Sequence, residues 1–149
     1  DLSDGTKVEA TDYEAYDNRD WDLAFKRVVI RSNGADSGHG GVSVALVQDT
    51  PFADVTAPQD EGAYEQDVSF DDSCDPITDP IGKLYTAFNY LHEDITSSTQ
   101  SWYSYGDGHA ITPEENAVYV IDVPEEDAAY KMEIQSWSDG VFTLRWAKL

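Results

Sequence analysis

Cysteine is nearly missing from this 149-residue chain: Cys74 stands alone, which excludes any internal disulfide. Basic residues are scarce as well. Nine Lys and Arg face 30 Asp and Glu, a formal net charge of −21. Phosphates would be repelled, so nucleic acid and anionic membrane surfaces are excluded as partners. No apolar run approaches the length of a membrane span. The sequence also lacks Gly-x-Ser-x-Gly, His-Glu-x-x-His and a phosphate loop, and no enzymatic activity is expected. Cys74 is flanked by Asp71, Asp72 and Asp75, the opposite of the electropositive surroundings that a nucleophilic thiolate needs; it reads as a small loop residue.

What the chain does have is aromatics: four Trp, nine Tyr and five Phe. Its length fits one domain, 1–149, with a core that closes without disulfides. Aromatic and β-branched side chains suit a pleated surface, and they recur in short runs between turn residues. Trp21 to Arg31 is the strongest strand signal, with Trp21, Leu23 and Phe25 alternating against charged neighbours. It runs into a glycine-rich turn, Ser37-Gly38-His39-Gly40-Gly41, where glycine permits close chain approach and His39 reads as a turn residue. Further strands are expected at Val8 to Ala10, Val42 to Val47, Glu65 to Phe70, Tyr85 to Leu91, Trp102 to Tyr105 and Ala117 to Val123. Tyr130 to Trp137 and Val141 to Trp146 form a hairpin around Ser138-Asp139-Gly140, because Asp-Gly is a strong turn signal. In that hairpin Met132 is in phase with Tyr130 and Ile134, and Phe142, Leu144 and Trp146 share one face, so all are expected in the core. Helical signal is confined to single turns at Pro51 to Val55, Pro113 to Asn116 and Pro124 to Asp127, the last better read as a hairpin loop. The pattern predicts a single-domain, all-β, mainly antiparallel and sandwich-like fold with long loops and at most short helical turns.

The wording of three blocks, in order, adds a second line of argument. Trp21-Asp22-Leu23-Ala24-Phe25 is followed by Asn33-Gly34 and Ser37-Gly38-His39-Gly40. Trp102-Tyr103-Ser104-Tyr105 is followed by His109 and Ile111-Thr112-Pro113. Val118-Tyr119-Val120-Ile121 leads to Tyr130-Lys131-Met132-Glu133-Ile134 and Phe142-Thr143-Leu144-Arg145-Trp146. From about Asp20 onward the chain resembles the HmuY family of secreted bacterial haem-binding proteins. The resemblance implies an extracellular or cell-surface, haemophore-like protein that captures or passes on haem without catalysis, with an outer-membrane receptor or self-association as a further partner. The chain opens on Asp1 rather than Met, which reads as a mature chain after signal removal. In the best-known members two histidines, or two methionines, on variable loops hold the iron.

Haem asks for an axial donor, an apolar slot and partners for two propionates. His92 follows Phe88-Asn89-Tyr90-Leu91, and His109 follows the aromatic block and Gly106-Asp107-Gly108; these two are the candidate iron ligands. Tyr90, Trp102, Tyr103 and Tyr105 are the candidate stacking rings, and Lys26, Arg27, Arg31 and Lys83 the candidate propionate partners. The alternative is a structural or adhesive cell-surface or filament subunit on the same fold without haem. Calcium would stabilise it through loop carboxylates, of which Asp71, Asp72, Asp75 and Asp79 are the candidates. The net charge itself predicts that salt or calcium raises the melting temperature.

Overall fold

In a computed structural model the described residues are 1–78, 82–92 and 101–149, without the side chains of Asp12 and His109. They form eight strands, two one-turn α-helices and several 3-10 turns, the all-β architecture expected. The central sheet has the antiparallel order β3-β6-β7-β8, from β3 (Ser43–Val47), β6 (Val118–Val123), β7 (Ala128–Ser138) and β8 (Val141–Lys148). Two separate hairpins accompany it: β1 (Leu23–Lys26) with β2 (Val29–Ser32), and β4 (Tyr103–Tyr105) with β5 (Ile111–Pro113).

Strand β6 is the spine of the core. Its side chains alternate between two apolar clusters, as a strand's period of two requires. Tyr119, Ile121 and Val123 join Ile30, Phe88, Trp102, Tyr130 and Met132 on one face. Val118 and Val120 join Ala45 and Val55 on the other. The second face is roofed by the loop around Phe52, which Lys131 fastens: its Nζ donates to the carbonyls of Phe52 and Val55, both at 2.8 Å, and lies 4.5 Å over the Phe52 ring. An ammonium bonded in this way stays satisfied while its alkyl stem covers apolar surface.

The β7–β8 hairpin forms as expected, with Asp139 and Gly140 both at positive φ (51° and 84°), the requirement of a type I′ turn. The loop at Pro124–Glu126 likewise joins β6 to β7. The expected strand from Trp21 to Arg31 is instead the β1–β2 hairpin, reversing at Arg27 and Val28. Arg27 adopts φ 59° where such a turn favours glycine. No local signal marks this turn, because distant groups impose it: the indole N–H of Trp137 donates to the Arg27 carbonyl (2.9 Å) and that of Trp102 to the Val28 carbonyl (2.8 Å). Tyr85 to Leu91 is also not a strand. It contains helix α2 (Ala87–Tyr90), whose start is closed by Asn89 Oδ1 accepting the Thr86 N–H at 2.9 Å. Glu65 to Phe70 makes only isolated bridges, Val44 with Glu65 and Phe70 with Pro76, and Val8 to Ala10 pairs with nothing among the described residues. Pro113 ends β5 rather than opening a helical turn. Helix α1 (Asp12–Ala15) was not expected, though Thr11 and Glu14 form a capping box that the sequence displays.

Trp146 departs from its expected core position. It pairs with Met132 across the β7–β8 hairpin, but β8 is the sheet's edge and the N-terminal segment covers the indole only in part, so Trp146 is 44% exposed. Met132, by contrast, is fully buried.

The glycine-rich turn is built around one side chain. Asn33 is fully buried; its Nδ2 donates to the carbonyls of Asn18 (2.9 Å) and Trp21 (2.7 Å), and its Oδ1 accepts the Gly40 N–H (3.0 Å). A Cβ on Gly38 would lie 2.0 Å from Asn33 Oδ1, so this glycine serves close approach to the amide. His39 stays at the surface beside Tyr16 and Asp17, a turn residue as expected.

Candidate functional site

The β1–β2 turn, the β4–β5 hairpin and the β7–β8 turn converge on a cleft of about 390 Å³. Its apolar walls are Val28, Tyr105, Ile111 and Trp137, and its two cations are Arg27 and Lys83. Each wall has a local cause. Tyr105 and Ile111 pair across β4–β5. The Gly106 N–H donates to the Ala110 carbonyl at 2.9 Å, closing a loop that contains a 3-10 turn at Asp107–His109, with Gly108 at φ 69°. Trp137 precedes the Asp139-Gly140 turn and holds the Arg27 carbonyl through its ring nitrogen. The cleft thus gathers two of the chain's nine bases, Arg27 and Lys83, together with one acid, Asp139.

Of the four expected stacking rings, the structure brings Tyr105 to this cleft, 47% exposed. Trp102 and Tyr103 are buried in the core, packed on one another at a centroid distance of 4.8 Å. Tyr90 packs edge-on against Tyr85 at 4.7 Å and donates its hydroxyl to the Val68 carbonyl. The backbone of His109 sits in the loop that closes the β4–β5 hairpin, four residues after Tyr105; its side chain lies outside the description. His92 is elsewhere: fully buried just after α2, with Nε2 2.9 Å from the Tyr119 hydroxyl. Its Nδ1 has no hydrogen-bond partner among the described residues. Burial pushes its pKa down to about 4, so the imidazole is neutral at pH 7, and burial pushes the Tyr119 hydroxyl well above its usual value.

Asp71 does not reach toward Asp72 and Asp75 as a joint ligand set. Its Oδ1 accepts the N–H groups of Ser73 (2.8 Å) and Asp75 (2.9 Å), fixing a turn; Asp79 lies outside the described residues. Among the described residues, the carboxylates that do approach one another belong to Asp1, Asp22 and Glu126.

Sequence reasoning picked out Tyr105, Arg27 and Lys83 but missed Trp137, Ile111 and Val28 as site residues. Their convergence depends on three turns far apart in sequence. The one local hint was an aromatic residue directly before the Ser-Asp-Gly turn.

The chain is a small antiparallel β protein with a cleft between three of its turns. The chain belongs to the HmuY family: the family model described as HmuY protein matches residues 1–144. Comparison with curated proteins gives no match. Membership makes haem binding the general property to be accounted for; of the cleft's residues the rings of Tyr105 and Trp137 and the cations Arg27 and Lys83 suit such a group, while Asp139 does not. No helix among the described residues is long and apolar enough to cross a membrane.

Proposed function

We propose that the protein is an extracellular haem carrier that captures haem at the cleft between the three turns and passes it to a cell-surface receptor. The observation that carries this reading is the meeting of Tyr105, Trp137 and Ile111 with Arg27 and Lys83 beside the His109 loop. The rings would cover the porphyrin face, and the two cations would take the propionates as charge-assisted hydrogen bonds. His109, in the loop that joins the strands carrying Tyr105 and Ile111, would be the iron donor. His92 is the second candidate donor, and it reaches iron only when the end of α2 opens and its bond to Tyr119 breaks. Bound haem supplies iron that stays coordinated rather than turning over a substrate; the protein's part is to orient, desolvate and release it.

Haemin titration followed in the Soret region tests the proposal. A saturable, sharpened band is expected, weakened by about tenfold or more in affinity by His109→Ala and by Arg27→Ala. His92→Ala separates one-histidine from two-histidine ligation: loss of a low-spin spectrum in that variant assigns His92 to the iron. No saturable Soret change in the parent protein would overturn the carrier. Large assemblies forming on calcium addition would then favour the structural subunit instead.

A further inference from the structure

A second cleft, of about 510 Å³, lies between the N-terminal segment, β1 and β8. Its floor is the buried Met132, and its walls include Trp21, Leu23, Phe25, Leu144 and Trp146. Two of these large aromatics, Phe25 and Trp146, are 40% and 44% exposed. Apolar surface gathered in a concavity of this size is the usual form of a small-molecule site, and such surface carries a hydration cost until something covers it.

The polar groups at its rim are already matched to one another. Asp1 Oδ1 accepts the Ser3 N–H and hydroxyl at 2.8 and 2.6 Å, and Asp4 Oδ1 accepts the Thr6 N–H at 2.9 Å. Lys7 pairs with Glu9 at 2.7 Å. The Leu2 N–H donates to Asp22 and the Leu2 carbonyl accepts the Trp146 indole N–H at 3.1 Å. These bonds hold the N-terminal segment over the cleft. The charged residues of the lining, Asp1 and Lys7, are engaged with Ser3 and Glu9, so a charged ligand must displace those bonds, and the net charge of −21 repels an anion. Gly5 contributes by its lack of a side chain: a Cβ would lie 2.8 Å from the Trp146 ring, so glycine lets the segment rest on the indole.

We propose that this cleft binds an uncharged, largely hydrocarbon small molecule, independently of the haem cleft. The probe is N-phenyl-1-naphthylamine, neutral and apolar, titrated into the full chain. A saturable rise in its fluorescence is expected, with the anionic probe 8-anilinonaphthalene-1-sulfonate binding more weakly by about tenfold. Leu144 lines the cleft from a half-buried position on β8, on the same face as Trp146, so Leu144→Trp fills the space and should weaken the neutral probe by about tenfold. Phe25→Ala, which removes a wall instead, should weaken it too and decides the matter where Leu144→Trp perturbs the fold. Saturation with haemin should leave the probe bound. Failure of the probe to saturate, equal affinity in the parent and both variants, preference for the anionic probe, or one-for-one displacement by haemin would each overturn the proposal. Because haem is read in the Soret band and the probe in its own emission, loss of one reading leaves the other standing.

Discussion

Trp102 and Trp137 donate their indole N–H groups to neighbouring carbonyls of one tight turn, Val28 and Arg27. The two rings differ in burial: Trp102 is 1% exposed and Trp137 lies partly open at the cleft. Replacing each by Phe removes the same kind of bond but a different amount of packing. Trp137→Phe should cost about 1 kcal/mol, the net worth of a hydrogen bond. Trp102→Phe should cost about 2–4 kcal/mol, since a core void and a stranded carbonyl are added. Denaturant unfolding checks the order; equal losses would mean that the turn is held by other groups.

The burial of His92 makes stability depend on pH in a defined window. The folded-state pKa of His92 is about 4 against an ordinary 6.5, so the unfolded chain takes up the proton first. Above pH 6.5 the contribution is complete; as pH falls from 6.5 to 4 stability is lost, by about 3 kcal/mol in all. Asp22 and Asp67, whose carboxyls are raised mainly by burial, work in the opposite sense, gaining relative stability as pH falls toward 3.8. The parent minus His92→Gln difference in unfolding free energy isolates the imidazole, and it should shrink across that window. A pH-independent difference would place the ring in water.

Asn33 and Gly38 should behave as one unit. Gly38→Ala drives a methyl to within 2.0 Å of Asn33 Oδ1 and should destabilise by about 2–3 kcal/mol. Asn33→Ala leaves the Gly40 N–H and two carbonyls without their partner and should cost about 3 kcal/mol. The double variant should lose clearly less than the sum, because the clash needs the amide. Strict additivity by thermal or chemical unfolding would show that the turn relaxes around the methyl.

Trp146→Ser should cost about 1–2 kcal/mol rather than the ~3–5 of a fully buried indole, because the ring is half exposed and its main bond is to Leu2. The variant should also loosen the N-terminal segment, measurable as faster amide exchange near Leu2.

How much of this was legible in the sequence follows the range of the interactions. The Asp139-Gly140 hairpin, the strand at Val118–Val123 and the burial of Met132 depend on neighbours a few residues away or on strict alternation, and they read directly. The β1–β2 reversal did not, since Arg27 carries no turn signal and the donors that hold it lie 74 and 110 residues away. Tyr85 to Leu91 read as a strand because aromatic β-propensity outweighed the Thr86 and Asn89 cap. At the site, residue types pointed to cations and rings. Which rings remain open could not be read, because Tyr103 and Tyr105, one strand period apart, end on opposite sides of the burial boundary.

Strand β6 has a consequence for the order in which the chain acquires shape. Both apolar clusters are organised on residues 118–123, and its partner β7, with β8 beyond it, comes later still. During synthesis nearly four-fifths of the sequence therefore emerges before the strand on which both clusters close, and β3 must wait for a neighbour more than seventy positions downstream. A fragment ending at Ala117 should show no cooperative melt by circular dichroism. Until the final meander is made, the ribbon at Ser43–Val47 has no inner neighbour on which to close the sheet.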